Sequence, residues 1–469
     1  MGCSAVAFSD RQNAGQIIET LNDHLLPHEP PIAPPAEPRV KLTAVTDLPK
    51  FGYRPMAMHL SEASEVLDDR IDEFTTLIQD HHNLEDSAFG NAASKSTSEI
   101  VAVGRIASDT PESKLNGASM ILEMSRRAGA GLRVPLKVEA ISSYEFFPGQ
   151  IVAVRGINAS GDYFTVSEVL EIPLLPPAAS FPSDLDSFNQ RLGVTEDDEA
   201  ESAAHALNIM LSSGPYTADD NLDFEPLNTL CDKATETYAD VLILVGPLFD
   251  AEHPLIASGD FDLPDDPSIE PDKATLSDAF RLLVSAPLRR LTQAVPSITI
   301  IIVPSVRDAI NKHVSWPQKN HEKKELGLPK QAKMVSNLVT ILLNETVIGI
   351  SAQDILYDLR REELVVGRPK ESNILARLPR HIIQQRHFFP VFPPVDRTNL
   401  PKPGTEEGVA TGMPLDVSYL KLGEWLNVRP DILVVPSALS PFAKVCALMS
   451  EYFIAASLLI VYNRLLKVC

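Results

Sequence analysis

Asp240-Val241-Leu242-Ile243-Leu244-Val245-Gly246-Pro247-Leu248-Phe249-Asp250 sets five apolar residues in a row between an acid and a Gly-Pro turn. A strand with one wet face alternates apolar and polar residues, so an unbroken run belongs to a strand covered on both faces, as in a mainly parallel sheet layered with helices. The same pattern recurs on either side. ALNIMLSSGP (206–215), ITIIIVPS (298–305) and DILVVPS (431–437) each end in a Gly or Pro turn. Ligands of such sheets bind beyond the carboxyl ends of the strands, so these turns mark where a site would lie.

Upstream the period changes. EIVAVGRIA (99–107), ASMILEM (118–124), LRVPLKV (132–138), QIVAVRGI (150–157) and DYFTVSEVLEI (162–172) are short β-rich runs separated by turns such as Leu115-Asn116-Gly117 and Ser160-Gly161-Asp162. Five strands at that spacing suggest a small barrel, with an OB-type barrel leading. Before them, Val66, Leu67, Ile71, Phe74, Leu77 and Ile78 form the stripe of an amphipathic helix with Ser61 or Ser64 as its cap and His81-His82 at its end.

The proline-dense stretch 28–38 (HEPPIAPPAEP) can sustain neither helix nor inner strand and reads as a linker. Residues 173–203 are proline-rich and then acidic, again linker-like. The expected organisation is an N-terminal segment and linker (1–55), a helix plus OB domain (56–175), an acidic linker (176–203), an α/β domain (204–445) and an atypical tail (446–469). Glu252 to Thr275 and Asp396 to Gly412 read as exposed insertions of the α/β domain.

Forty-one basic against sixty-three acidic residues give a net charge of -22 over 469 residues, so any phosphate-binding surface must be a local exception. The barrel segment 98–172 itself holds seven basic and nine acidic residues, which disfavours a basic single-strand groove; Phe146, Phe147, Tyr163 and Phe164 are expected to pack. Cys3, Cys231, Cys446 and Cys469 are too scattered for a disulfide framework or a cysteine zinc site. No targeting peptide is read at the N-terminus, and the longest apolar run, Tyr452 to Tyr462, is about half the roughly 20 residues a bilayer requires, so no membrane partner is expected. His253, His313, His381 and His387 form no ligand pair, and no Walker, G-x-S-x-G or G-x-G-x-x-G motif occurs.

The α/β part resembles calcineurin-like metallophosphoesterases, whose D-x-H, G-D-x-x-D and G-N-H-D/E motifs follow successive strands and hold two catalytic metals. Here the first turn reads Ser212-Ser213-Gly214-Pro215, with no Asp or His. At the second, Pro247 stands where the bridging Asp is expected and only Asp250 remains. At the third, Val306 and Arg307 stand in place of Asn and His, followed by Asp308. Gly214, Pro215, Pro247, Asp250, Val306, Arg307 and Asp308 are therefore expected to be degenerate former metal-site positions, with no catalytic residue, metal or cofactor. Arg307 is expected to pair with Asp250 or Asp308 in place of the metals' charge, or else to face solvent.

An OB barrel followed by a ligand-poor phosphoesterase-like domain resembles the B subunits of replicative DNA polymerases. The segments YEFFPGQ (144–150), VRGIN (154–158), SGPYT (213–217), GPLFDAEH (246–253), VPSVRDA (303–309) and QRHFFPVFPP (385–394) narrow the resemblance to the polymerase alpha–primase B subunit. It implies a nuclear, non-enzymatic subunit that docks on the C-terminal region of the polymerase catalytic subunit and tethers primase, touching DNA only indirectly. An active metallophosphoesterase, a single-strand-binding OB protein and a delta or epsilon B subunit are the competing readings. The resemblance also implies a preceding small helical domain and a different ending. Residues 446–469 (CALMSEYFIAASLLIVYNRLLKVC) depart from that ending, so the expected fold is an OB barrel plus an α/β sandwich with its C-terminal strands missing.

Overall fold

Arg39 to Tyr53 is bound into the fold. The computed structural model describes residues 8–10, 16–21, 33–110, 114–179, 181–192, 207–218, 220–264, 269–270, 273–310, 313, 315–395, 415–425, 427–447 and 456–461. Strand β1 (Leu42–Ala44) pairs antiparallel with Val339–Leu343, Leu42 opposite Leu343. Phe51 is fully buried. The Arg39 guanidinium forks onto Asp240, Nε to Oδ1 at 2.9 Å and Nη2 to Oδ2 at 2.6 Å.

Helix α1 (Leu60–His82) begins before Ser61 and Ser64, the serines expected to cap it, and includes both. His59 occupies the cap position, and its backbone N–H donates to Glu62 Oε2 at 2.7 Å, tying off the first turn. Asn83 ends the helix at φ 50°. Its inner stripe of Ile71, Phe74 and Ile78 packs on the outer face of a barrel, against Val101, Val103, Ile151 and Ala153.

That barrel is built from β2 (Ile100–Ser108), β3 (Met120–Glu123), β4 (Arg133–Lys137), β6 (Ile151–Ile157) and β7 (Phe164–Leu170), closed in the order β2-β3-β4-β7-β6. Short helix α2 (Arg126–Gly129) follows β3, and β5 (Tyr144–Phe146) precedes β6 outside the barrel. Phe164, Leu122, Val154 and Val166 fill the interior, so closure removes the sheet's edges while burying its alternate residues. Helix α3 (Pro182–Leu192) occupies the middle of the stretch expected to be a linker; residues 193–203 lie outside the described residues.

The rest of the chain supplies β8 (Ile209–Ser213), α4 (Glu225–Glu236), β9 (Val241–Val245), α5 (Pro254–Ser258), α6 (Leu276–Phe280), α7 (Ala286–Ala294), β10 (Thr299–Val303), β11 (Ala332–Met334), β12 (Val339–Leu343), β13 (Thr346–Ile350), α8 (Ile355–Glu362), β14 (Leu364–Val366), α9 (Ile374–Gln385), β15 (Ile432–Val434), β16 (Phe442–Ala447) and β17 (Ala456–Val461). They form two sheets. One is parallel throughout, in the order β11-β10-β9-β8; the other is mixed, in the order β1-β12-β13-β15-β17-β16.

The run at 241–245 shows why two sheets are needed. Its five residues are all buried. Leu242 and Leu244 point to the layer of α4 and α7, while Val241, Ile243 and Val245 meet Ile341, Ile348 and Val434 of the second sheet. Helices α8 and α9 cover that sheet's far side through Leu356, Leu359, Leu378 and Ile382. The layers run helix, sheet, sheet, helix. The DILVVPS run thus belongs to the mixed sheet, while the other three apolar runs build the parallel one.

The expected loss of C-terminal strands is not confirmed, since a strand stands in the tail. β17 pairs parallel with β15, Ile432 opposite Leu458, and antiparallel with β16, Phe442 opposite Val461. The reason is compositional: ASLLIV is a short uncharged apolar run, suited to the side of β15 left free by β13.

Barrel and sandwich are hydrogen-bonded to one another. β5 pairs antiparallel with β14, and the Gln385 amide makes two bonds to the Ile151 backbone, N–H to Oε1 and Nε2 to O, each 2.9 Å. Arg70 of α1 reaches Glu424 Oε1 at 3.0 Å. Among the described residues no helix is long and apolar enough to cross a membrane.

Candidate functional site

β8, β9 and β10 lie side by side and parallel, so their carboxyl ends open onto one edge, and the three turns singled out in the sequence meet there. The approach is close. A Cβ at Gly214 would lie 1.9 Å from the Pro247 carbonyl oxygen, and one at Gly246 would lie 2.7 Å from the Ser305 nitrogen. Both positions demand glycine for lack of space. The peptides Gly214-Pro215 and Gly246-Pro247 are cis.

Asp308 is the tie between the second and third turns. Its side chain is 0% exposed, and its carboxylate accepts from the backbone N–H of Leu248, of Phe249 at 3.0 Å and of Ser305 at 2.8 Å. His321 Nε2 stands 3.3 Å from its Oδ2. Backbone bonds from Ala251 to Arg307 and from Ala309 to Phe249 zip the two turns together around an Asp250–Asp308 bridge.

Arg307 lies across Asp250, donating from Nε to Oδ1 at 3.2 Å and from Nη2 to Oδ2. The same Nη2 is 3.0 Å from Glu252 Oε2, an ion pair out of line for a hydrogen bond, so neither Glu252 oxygen receives a donor. One guanidinium therefore faces two carboxylates whose side chains are each 6% exposed. Burial pushes the Glu252 carboxyl up to about 7, with Arg307 opposing and Asp250 adding to the rise.

The donor set does not fit a pair of divalent cations. Pro215 and Pro247 offer no side-chain donor, Val306 packs into the apolar cluster beneath α8 and α9, and Asp308 is committed to three backbone N–H groups. Asp250 holds a cation already, in the form of Arg307.

The sequence singles out Asp250, Arg307 and Asp308, and the structure brings them together with Gly214, Pro215, Pro247 and Val306. Three participants are not among the expected site positions: Glu252 and His253, although both lie within GPLFDAEH (246–253), and His321. Glu252 and His253 fall in the stretch expected to be an exposed insertion. In fact His253 caps α5, accepting from the Leu255 N–H, and its Nε2 lies 2.8 Å from the Ala218 carbonyl. The available signal is position, since both fall within three residues of Asp250. The remaining histidines work locally. His387 is buried and held well below its ordinary pKa by desolvation, bonding Leu420 O and the Phe389 N–H, while His381 pairs with Glu363 at 2.8 Å. His313 is half-buried against Tyr53, and His82 bonds Glu171 O at 2.9 Å.

Comparison with known proteins supplies the family. A family model for the OB domain of the DNA polymerase alpha B subunit matches residues 64–172, and one for the DNA polymerase alpha/epsilon B subunit matches residues 209–444. The chain is 36% identical to the DNA polymerase alpha B subunit of Schizosaccharomyces pombe over 436 residues, covering 92% of this chain and 70% of that protein. It is 37% identical to that of Saccharomyces cerevisiae over 466 residues (93% and 64%) and 28% identical to that of Bos taurus over 397 residues (84% and 57%). The chain thus spans between about half and 70% of the length of these curated relatives. A barrel where the OB model matches, an α/β unit where the alpha/epsilon model matches and identity extending through both make this chain a member of the family of DNA polymerase alpha B subunits.

Proposed function

We propose that this chain is the non-catalytic accessory subunit of DNA polymerase alpha–primase, holding the catalytic subunit, through its C-terminal region, and primase in one nuclear assembly that initiates DNA replication. The observation that carries the reading is Arg307 seated between Asp250 and Glu252, where a phosphoesterase would hold metal. A four-layer α/β sandwich with its site at the ends of parallel strands supports descent from a calcineurin-like phosphoesterase, and the degenerate positions Gly214, Pro215, Pro247, Asp250, Val306, Arg307 and Asp308 support loss of its chemistry. The proposed division is 1–55, 56–175, 176–203, 204–445 and 446–469. The hydrogen bonds joining barrel to sandwich suit a rigid spacer, because a scaffold works by fixing distance.

The test is co-purification. Co-expressed with the C-terminal region of the polymerase alpha catalytic subunit, the full chain is expected to elute with it. Elution apart, or manganese-dependent phosphodiester hydrolysis by the chain alone, would overturn the reading.

A further inference from the structure

Against a net charge of -22, residues 319–333 (KNHEKKELGLPKQAK) hold five lysines and two glutamates. The segment is firmly pinned. Gln318 and Asn337 exchange backbone hydrogen bonds of 2.6 and 3.0 Å on either side of it. In its middle Leu326 and Leu328 are buried in the core beneath α6 and α7, with the Leu326 carbonyl accepting from Ser285 Oγ at 2.7 Å and the Glu325 carbonyl from Arg281 at 3.1 Å. At its end it becomes β11, the outer strand of the parallel sheet.

Lys323 folds the segment back on itself, its Nζ donating to Lys330 O at 3.0 Å and Ala332 O at 2.8 Å. Burial, and then the nearby charge of Lys333, hold its pKa below the ordinary lysine value, so the positive charges stand close together. The other four, Lys319, Lys324, Lys330 and Lys333, are exposed, and none makes an ion pair among the described residues. Several exposed cations elsewhere meet acids, Arg126 with Asp68, Arg127 with Asp72, Arg133 with Glu123 and Lys421 with Glu73, while Lys41, Lys95, Lys114 and Lys370 stand singly, far apart in the sequence. Four unpaired lysines within fifteen residues of fixed backbone make this segment a local exception to the acidic background.

We infer that the 319–333 segment is a contact site for the phosphodiester backbone of a nucleic-acid strand, read without regard to sequence. Two observations favour phosphate over an acidic protein segment. The cations are all lysine, a hydrated point charge suited to counterion release, and none is the arginine whose planar fork favours paired carboxylates. No aromatic residue lies in the segment, so bases have no platform and the backbone alone is recognised. The chain's negative charge opposes binding only over about 8 to 10 Å at physiological salt, and Glu322 and Glu325 temper the patch without reversing it. The inference places a direct DNA contact beside the scaffold role proposed above and rests on that role only for the identity of the polyanion.

The test titrates the full chain against a fluorescein-labelled oligothymidylate and a duplex of equal length at several salt concentrations. Four phosphate contacts give a log–log salt slope of about -3 for the single strand and somewhat steeper for duplex. Between about 50 and 200 mM salt that is roughly a fifty-fold loss of affinity. The variant K319Q/K324Q/K330Q/K333Q is expected to weaken binding more than about tenfold and flatten the slope, while K41Q/K95Q/K114Q/K370Q, which removes four exposed lysines elsewhere, changes neither by more than about twofold. Equal loss from the two variants overturns the site, as does absence of binding by the parent chain. Displacement of the probe by polyglutamate at equal charge overturns the choice of nucleic acid. Both variants are expected to retain the polymerase catalytic subunit, so failure here leaves the scaffold role standing, and a parent chain that does not retain it is a separate result.

Discussion

Arg307 and Asp250 face one another across two turns that follow different strands, joined by two hydrogen bonds, with Glu252 3.0 Å from the same guanidinium. Removing the cation leaves the buried Asp250 carboxylate without its partner and drives Glu252 further towards its protonated form. Breaking a buried pair from one side costs about 3 to 5 kcal/mol, so Arg307→Ala is expected to lower the urea midpoint strongly. An unchanged midpoint contradicts the pairing.

Glu252 carries a pH dependence. Its pKa is raised in the folded chain to about 7, so the fold favours its protonated form. That contribution is fully present below the ordinary carboxylate range and is lost as pH rises through about 7. Glu252→Gln is expected to flatten the fall in stability between about pH 5 and pH 8, measured by denaturant unfolding. Asp358, which burial also pushes up to about 7, keeps part of the slope in that variant.

Gly214→Ala drives a methyl group into the Pro247 carbonyl, a backbone atom that cannot swing aside. Overpacking of this kind costs about 1 to 3 kcal/mol, visible as a lower melting temperature. A melting temperature equal to the parent's contradicts the close approach of the two turns.

Gln385→Ala strips the Ile151 backbone of its donor and acceptor at the junction of barrel and sandwich. Each buried group left unpaired costs about 1 to 3 kcal/mol. Faster hydrogen exchange is expected along β6 and at the β5–β14 pairing, with the interior of the parallel sheet unchanged.

The features legible in the sequence are those with local causes. Five barrel strands announce themselves by short β-rich runs and turn residues, and Val241 to Val245 by five apolar residues between an acid and a Gly-Pro turn. What escapes depends on distant partners. β1 is three residues long, follows a proline cluster, and gains its meaning from a strand about three hundred residues away. Glu252 reads as the start of an acid-rich surface loop because composition cannot report that Arg307 will roof it. The second sheet is hidden for a related reason: an apolar run states that both faces are covered, and leaves open whether the cover is helix or sheet. Unlikeness to a family ending argues against a strand in the tail, yet the apolar composition of β17 is adequate to extend a sheet.

The most direct test of the scaffold role is reconstitution of the polymerase alpha catalytic subunit and primase with and without this chain, read by size-exclusion chromatography with light scattering. With the chain present, all components are expected in one species, and without it primase is expected to separate from the catalytic subunit. Primase and catalytic subunit eluting together equally well in its absence would contradict a scaffold.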